Sequence, residues 1–197
     1  STNPDGTTGL LTAAWSQSMA FDDFAGTLHC MGDVQAVHAP DPTRRDAVLG
    51  DEVTATFEPY REPGEGGETR EDREVLTFIA TSIGEGQTQA AVESARFELV
   101  QGAEPRLTRA LRLTGPYVSL DQRAGVVNVR GPGSLLVSDQ RQQLPPERQA
   151  LALFSWNESF VHNRVSGNAT MIGNVKTHHR RRADDPVTLI DCDRLDA

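Results

Sequence analysis

Hydrophobic and polar residues alternate along most of this chain in short runs. Runs such as TLHCM, EVTATF, YVSLD and VVNVRG are rich in β-branched or aromatic residues. Gly, Pro, Asp or Asn separates them at a spacing of roughly 8–12 residues, which is typical of a β-sandwich or a folded sheet. A helical period of 3.6 residues is hard to find, and QTQAAVESARFEL reads mostly as strand because ARFEL alternates. The pattern therefore predicts an all-β protein.

Two segments interrupt the strand pattern. Residues 60–74, YREPGEGGETREDRE, are charged, rich in glycine and without apolar anchors, so we expect a mobile loop there. The segment RQQLPPERQA contains two adjacent prolines, which can begin a short helical turn.

The chain carries one pattern twice. WSQSMAFDDFAGTLHCMGDVQAVH, residues 15–38, aligns without a gap with WNESFVHNRVSGNATMIGNVKTHH, residues 156–179. In each copy a strand runs to a Gly-Asp or Gly-Asn pair, where the chain turns or bulges before a second strand leaves. The repetition predicts a long sheet folded on itself that contains two equivalent hairpins.

Alternation within the repeat predicts which side chains share a face. The first copy places Leu28, Cys30, Val34 and Ala36 on one face, and the second copy places Ala169, Met171 and Val175 in the corresponding positions. Trp15 and Trp156 each precede the equivalent strands, so we expect both to be core residues that cap the sheet.

Several motifs together resemble a known family. These are W-S-x-S-M-x-F-D, G-T-L-x-x-x-G-D-V, the closing D-E-V-T-A, and MIGNVKTHHRRRADDPVTLIDCDRLDA with its element Asp193-Arg194-Leu195. They are similar to the OstA-like repeats of the LptA–LptC type of lipopolysaccharide-transport proteins. The resemblance implies a folded antiparallel sheet, called a β-jellyroll or β-taco, built from two OstA-like repeats at about 10–58 and 150–197. It implies one domain over residues 1–197, which we expect to be part of a longer chain.

The same resemblance implies a function. A protein of this family is non-catalytic, needs no cofactor and binds lipopolysaccharide or another acyl lipid in the periplasm or at the outer membrane of a Gram-negative-type bacterium. Five apolar residues would then line the lipid groove: Leu28, Cys30, Val34, Met171 and Val175. Exposed edge strands would pair with other β-jellyroll proteins or with a second copy of the chain.

Two other functions remain open from the sequence. A carbohydrate-binding module on a β-sandwich or β-helix would need a row of exposed aromatic residues or a facing pair of carboxylates. Only 6% of the residues are aromatic, and no such acid pair is evident. A purely structural domain of a large envelope protein is the other alternative.

The net charge and the positions of the histidines and cysteines argue against three further functions: nucleic-acid binding, catalysis and metal binding. A formal net charge of −9 argues against a nucleic-acid partner. Neighbouring residues on a strand face opposite sides, so neither His178-His179 nor His29-Cys30 converges on one metal ion or forms a nucleophile and base pair. We therefore expect neither an enzyme nor a metal site. Cys30 and Cys192 fit either two buried thiols or one disulfide.

Overall fold

The elements that the structure describes in this chain are β-strands. The computed structural model describes residues 10–58, 75–83, 89–99, 105–140, 150–180 and 185–197. The loop predicted at 60–74 lies outside these residues, as does all but the last residue of the predicted helical turn in RQQLPPERQA. Fourteen strands follow in chain order: β1 Leu10–Ala14, β2 Ser18–Asp22, β3 Thr27–Asp41, β4 Arg44–Phe57, β5 Val75–Thr81, β6 Ala90–Glu98, β7 Arg106–Gly115, β8 Tyr117–Asp121, β9 Val126–Arg130, β10 Gly133–Asp139, β11 Ala150–Trp156, β12 Ser159–Asn163, β13 Ala169–Arg180 and β14 Thr188–Asp196.

All fourteen strands join one antiparallel sheet that consists of two halves. Half-sheet 1 has the order β2-β3-β4-β5-β8-β9-β12-β13-β14. Half-sheet 2 has the order β1-β3-β4-β6-β7-β10-β11-β13-β14. The long strands β3, β4, β13 and β14 run through both halves and connect them at each end. The predicted all-β fold with a folded antiparallel sheet is confirmed.

The sheet bends where the long strands carry their glycine pairs. Gly32 and Asp33 have φ values of 83° and 43°, and Gly173 and Asn174 have φ values of 89° and 46°. The chain does not reverse at either pair, so the hairpins that we predicted there are wrong and the bulge alternative is right. Each long strand inserts one extra residue opposite its neighbour. The left-handed backbone at both positions favours Gly followed by Asp or Asn.

The two bulges share their hydrogen bonds as well as their dihedral angles. The Ser16 N–H donates to the Gly32 carbonyl at 2.7 Å, and the Asn157 N–H donates to the Gly173 carbonyl at 2.7 Å. In both copies the next amide donates to the carbonyl just before the glycine, at 3.1 Å. The same local sequence therefore produces the same local geometry 141 positions apart.

A turn recurs three times at the outer end of half-sheet 1. It occupies residues 22–26, 121–125 and 163–167, and its last residue is a glycine with a φ of 63°, 64° or 79°. The first residue, Asp or Asn, accepts a hydrogen bond from the amide three residues on, at 2.8, 2.8 and 3.1 Å. This side-chain bond substitutes for a backbone turn bond. The middle of the chain thus contains the same turn as both ends, at a spacing of 99 positions from the first.

Candidate functional site

One row of apolar side chains crosses the inner face of half-sheet 1 next to the bend. Cross-strand pairing aligns its nine members, which are Met19, Cys30, Val53, Ala80, Val118, Val129, Phe160, Met171 and Leu195. Its seven central members are at most 7% exposed. Nine strands at their usual spacing give this row a length of roughly 38 Å. We call it the floor row.

A second row lies two residues farther from the bend on the same face. Its members are Phe21, Leu28, Ala55, Phe78, Leu120, Val127, His162 and Ala169. Most of these side chains are half-buried, and Phe21 at the edge is 52% exposed. His162 is the one titratable member, and its ring is stacked 6.5 Å from that of Phe160. We call this the wall row of half-sheet 1.

Half-sheet 2 presents a matching apolar row. Its members are Ala36, Val48, Val92, Leu113, Leu135, Phe154, Thr177 and Ile190. Leu113 is buried within the same hydrophobic cluster as the floor row, and four of its row neighbours pack against that cluster. The inner faces of the two halves therefore meet near the bend.

Exposure rises away from the bend, which gives the space between the halves the form of a groove. On β7 the inward residue Leu113 is 3% exposed, whereas Leu111, two residues farther from the bend on the same face, is 39% exposed. On half-sheet 1 the change runs from the buried floor row to the half-exposed wall row. The groove is thus closed at its base and open at its mouth.

The five residues predicted to line the groove all belong to this cluster. Cys30, Val34, Met171 and Val175 are between 0 and 4% exposed, and Leu28 packs against them while remaining half-buried. Four of the five are therefore buried in the core at the closed end of the groove, and Leu28 lies on its wall, so the contact of these residues with a lipid stays a prediction. Sequence reasoning missed several wall and floor residues, notably Met19, Phe21 and Phe160, because β2 and β12 were not predicted as strands. The alternation in SMAFD and SFVHN was the available signal.

The two tryptophans have different environments. Trp156 is 1% exposed, stacks on Phe160 with ring centroids 5.1 Å apart, and lies directly over Gly133. Its indole N–H has no hydrogen-bond partner among the described residues. Trp15 is 40% exposed, so the prediction that both are core residues is wrong for Trp15. The reason is its place in the sheet, because β11 lies between two strands whereas β1 lies at an edge.

The cysteines do not form a disulfide. Cys30 and Cys192 are both free, which decides between the two alternatives left by the sequence. Burial of Cys30 raises the pKa of its thiol because the thiolate would lose its solvation. A thiol in this state behaves as a small apolar side chain of the groove base.

Two polar contacts lie on the outer face of half-sheet 1. His29 bonds Glu52 at 2.6 Å on this face, and the Arg130 guanidinium lies 4.7 Å from the centre of the Tyr117 ring. Within the described part of the chain, no group of three or more His, Cys, Asp or Glu could hold a metal ion. In the same part, no helix is long and apolar enough to span a membrane.

These features define a class: an all-β protein whose folded antiparallel sheet encloses an apolar groove. Among solved structures, the chain is similar to LptH, described as the LptA homologous periplasmic component of the conserved lipopolysaccharide transport device from Pseudomonas aeruginosa. The match has a TM-score of 0.46 and 10% sequence identity, and it covers 92% of this chain and 94% of that one. No protein-family model matches the chain, and no curated protein does. Because similarity at this level carries no functional argument, the case for function rests on the groove.

Proposed function

We propose that this chain is a non-catalytic envelope protein that binds and transports an acyl lipid, lipopolysaccharide in particular, in the groove between its two half-sheets. The observation that supports the proposal is the wall row of half-sheet 1, a line of side chains that are apolar except for His162 and that are mostly only half-buried. A monomeric protein rarely leaves a long contiguous apolar surface open to water. An acyl chain that lies along the wall would cover it.

The magnitude of the hydrophobic effect makes such binding strong enough. Each methylene removed from water contributes about 0.8 kcal/mol. Six or seven methylenes therefore contribute about 5 kcal/mol, the lower end of the cost of immobilising a ligand, which is about 4–15 kcal/mol, and a lipid with longer or several acyl chains covers more of that range. No catalytic group is needed for this role, and the inner rows next to the bend contain none of the nucleophile, base and orienting-group sets on which acyl transfer depends.

Mass spectrometry of a lipid extract from the purified protein tests the proposal. We expect an acyl lipid to co-purify with the parent chain. Replacing Leu120 with Asp places a charge on the wall row, where an acyl chain would have to desolvate it, so the bound lipid should fall at least tenfold.

Ser119→Asp provides the matched control. Ser119 precedes Leu120 on β8, is also half-buried and faces outward between Ile79 and Asn128, neither of which is charged. This variant should keep its lipid. A parent protein that yields no lipid, or equal retention by both variants, would contradict the groove assignment.

The edges of the sheet support a proposal about partners. Among the described residues, β14 pairs only with β13, and β1 and β2 pair only with β3. Unpaired strand edges offer a row of backbone N–H and C=O groups to another strand. We propose that other β-jellyroll proteins, or further copies of this chain, add to these edges and continue the groove from one molecule to the next. A periplasmic location would bring such partners together, and cell fractionation would check it.

A further inference from the structure

The inner face of half-sheet 2 changes character toward its mouth. On β4, β6 and β7 the apolar row next to the bend is formed by Val48, Val92 and Leu113. Because alternate residues share a face, the inner positions four residues farther from the bend hold one arginine on each strand: Arg44, Arg96 and Arg109. We call these three residues the arginine row.

The three arginines are aligned directly opposite one another. Arg44 pairs in register with Arg96, and Arg96 pairs in register with Arg109. Like charges at directly opposed positions on neighbouring strands destabilise a sheet. The same row continues in register to Asp41 beside Arg44 and to Asp139 beside Arg109, so Arg96 is the member with no carboxylate directly opposite.

The nearby carboxylates neutralise this row unevenly. The Nε of Arg44 donates to Asp46 at 2.7 Å, and the Nε of Arg109 donates to Asp139 at 3.2 Å. Asp46 also accepts a hydrogen bond from Ser94 at 2.6 Å. Both ion pairs use the inner guanidinium nitrogen of their arginine.

Arg96 lies between these two pairs without an ion pair of its own in the described part of the chain. The charge of Arg96 acts on Asp41, which already accepts hydrogen bonds from the amide and the hydroxyl of Thr43 at 2.7 and 2.5 Å. The Thr43 hydroxyl is the main reason why the pKa of Asp41 is lowered, and Arg96 is a weaker cause. Arg96 is exposed and can donate to an external anion.

We propose that the arginine row binds the anionic headgroup, a phosphate in particular, of an acyl lipid whose chains lie on the apolar rows below it. This inference rests on the proposed function, since it assigns a second part of the same ligand. The distribution along β4, β6 and β7, with apolar residues at the base and guanidinium groups at the mouth, matches an amphipathic molecule with an anionic end. Guanidinium groups bind phosphate through paired N–H···O bonds, which makes arginine well suited to this contact.

Calorimetric titration of the intact chain with three probes tests the proposal. Dioctanoyl phosphatidic acid carries acyl chains and phosphate, dioctanoylglycerol carries the chains alone, and glycerol 3-phosphate carries the phosphate alone. We expect the parent chain to bind phosphatidic acid at least about tenfold more tightly than dioctanoylglycerol, and glycerol 3-phosphate much more weakly than either lipid.

Two variants with the same change of charge locate the effect. Arg96→Gln should lose most of the preference for phosphatidic acid while binding dioctanoylglycerol as before. Arg45→Gln, at an exposed position on the outer face of β4, should retain the preference. Circular dichroism and urea unfolding would establish that both variants are folded, and Arg96 leaves no broken ion pair behind.

Three other results would each contradict a different part of the proposal: the headgroup site, the lipid as its ligand, or the proposed function. Equal affinity of the parent for the two lipids, or an undiminished preference in Arg96→Gln, would overturn the headgroup site and leave the groove intact. Binding of glycerol 3-phosphate as tight as that of phosphatidic acid would assign the row to free phosphate and overturn the lipid assignment. Failure of both lipids to bind would overturn the proposed function itself.

Discussion

Gly133 and Trp156 show how single residues form the base of the groove. A Cβ atom on Gly133 would lie 2.4 Å from the carbonyl oxygen of Thr114 and 2.7 Å from the indole ring of Trp156. The largest buried side chain of the protein therefore depends on the smallest residue of the neighbouring strand. Substitution of a larger residue into such a packed site typically costs about 1–3 kcal/mol.

The two thiols should differ in reactivity. Only the thiolate reacts with Ellman's reagent, and burial both covers Cys30 and raises its pKa. Cys192 is half-buried on the edge strand β14. At pH 8 we expect one thiol per native chain to react, and the second to react only after unfolding in urea.

Serine variants show which cysteine reacts in the native protein and which reacts only after unfolding. Cys192→Ser should remove the native phase, and Cys30→Ser should leave it unchanged. Two thiols that react at one rate in the native protein would contradict the burial of Cys30.

For single residues, alternation in the sequence predicted which face of the sheet a side chain lies on better than it predicted how exposed that side chain is. Alternation correctly placed Cys30, Val34, Met171 and Val175 on one buried side, because the buried residues keep an even spacing across each bulge. It could not distinguish Trp15 from Trp156, whose neighbours in sequence are similar. Their burial depends on whether another strand lies alongside, and this is decided by residues far away in the chain.

The sheet folds at the two bulges, and the glycine in each bulge should contribute to the free energy of unfolding. A Cβ on Gly173 would lie 2.6 Å from Cγ and 2.9 Å from the backbone nitrogen of Glu158, in addition to the strain of a φ of 89°. We expect Gly173→Ala to lower the free energy of unfolding by about 2–4 kcal/mol, from strain and overpacking together. Urea unfolding would measure it.

Substitutions at two other glycines distinguish the cost of backbone strain from the cost of overpacking. Gly167 has a φ of 79° with nothing within 4 Å of its Cβ position, so Gly167→Ala should cost only the strain, about 1 kcal/mol. The Cβ of Gly32→Ala would also lie 2.9 Å from a backbone nitrogen, that of Gln17, but Gln17 lies between two edge strands that can shift more easily, so this variant should fall between the two. A Gly173→Ala variant no less stable than Gly167→Ala would contradict the close approach at the bend.

The strands themselves were predicted unevenly. Long alternating runs such as those of β4 and β7 were found, whereas β1, β2 and β12 were missed. These strands have only five residues each, and their pairing rather than their composition makes them strands. The sequence predicts separate strands on either side of each Gly-Asp or Gly-Asn pair, because a bulge and a tight turn share the same residue preferences.

At the scale of the whole molecule, the free edge of β14 should govern association. Ala169 and Ala197 exchange both backbone hydrogen bonds, so by alternation Arg194 directs its N–H away from β13. Proline at an edge position whose N–H faces outward leaves the internal ladder intact. We expect Arg194→Pro to weaken self-association at least tenfold in sedimentation velocity, with little change in the stability of the monomer.

Arg194→Gln is the control, since it keeps the backbone donor and removes only the side-chain charge that pairs with Asp196 at 2.8 Å. It should associate as the parent does. A parent chain that stays monomeric at high concentration, or equal weakening by both variants, would show that this edge does not pair with further copies.

The recurring turn has a consequence for how such a molecule can grow. Each of the three turns belongs to a unit that contributes two neighbouring strands to half-sheet 1 and its own passage across the bend. Each unit contains its own strands on both sides of the bend. Insertion or duplication of one unit would therefore add two strands to each half-sheet, lengthen the sheet by roughly 10 Å and leave the cross-section of the groove unchanged. Gene duplication can thus change the length of the groove by one unit at a time, without changing the residues that bind a ligand in each unit.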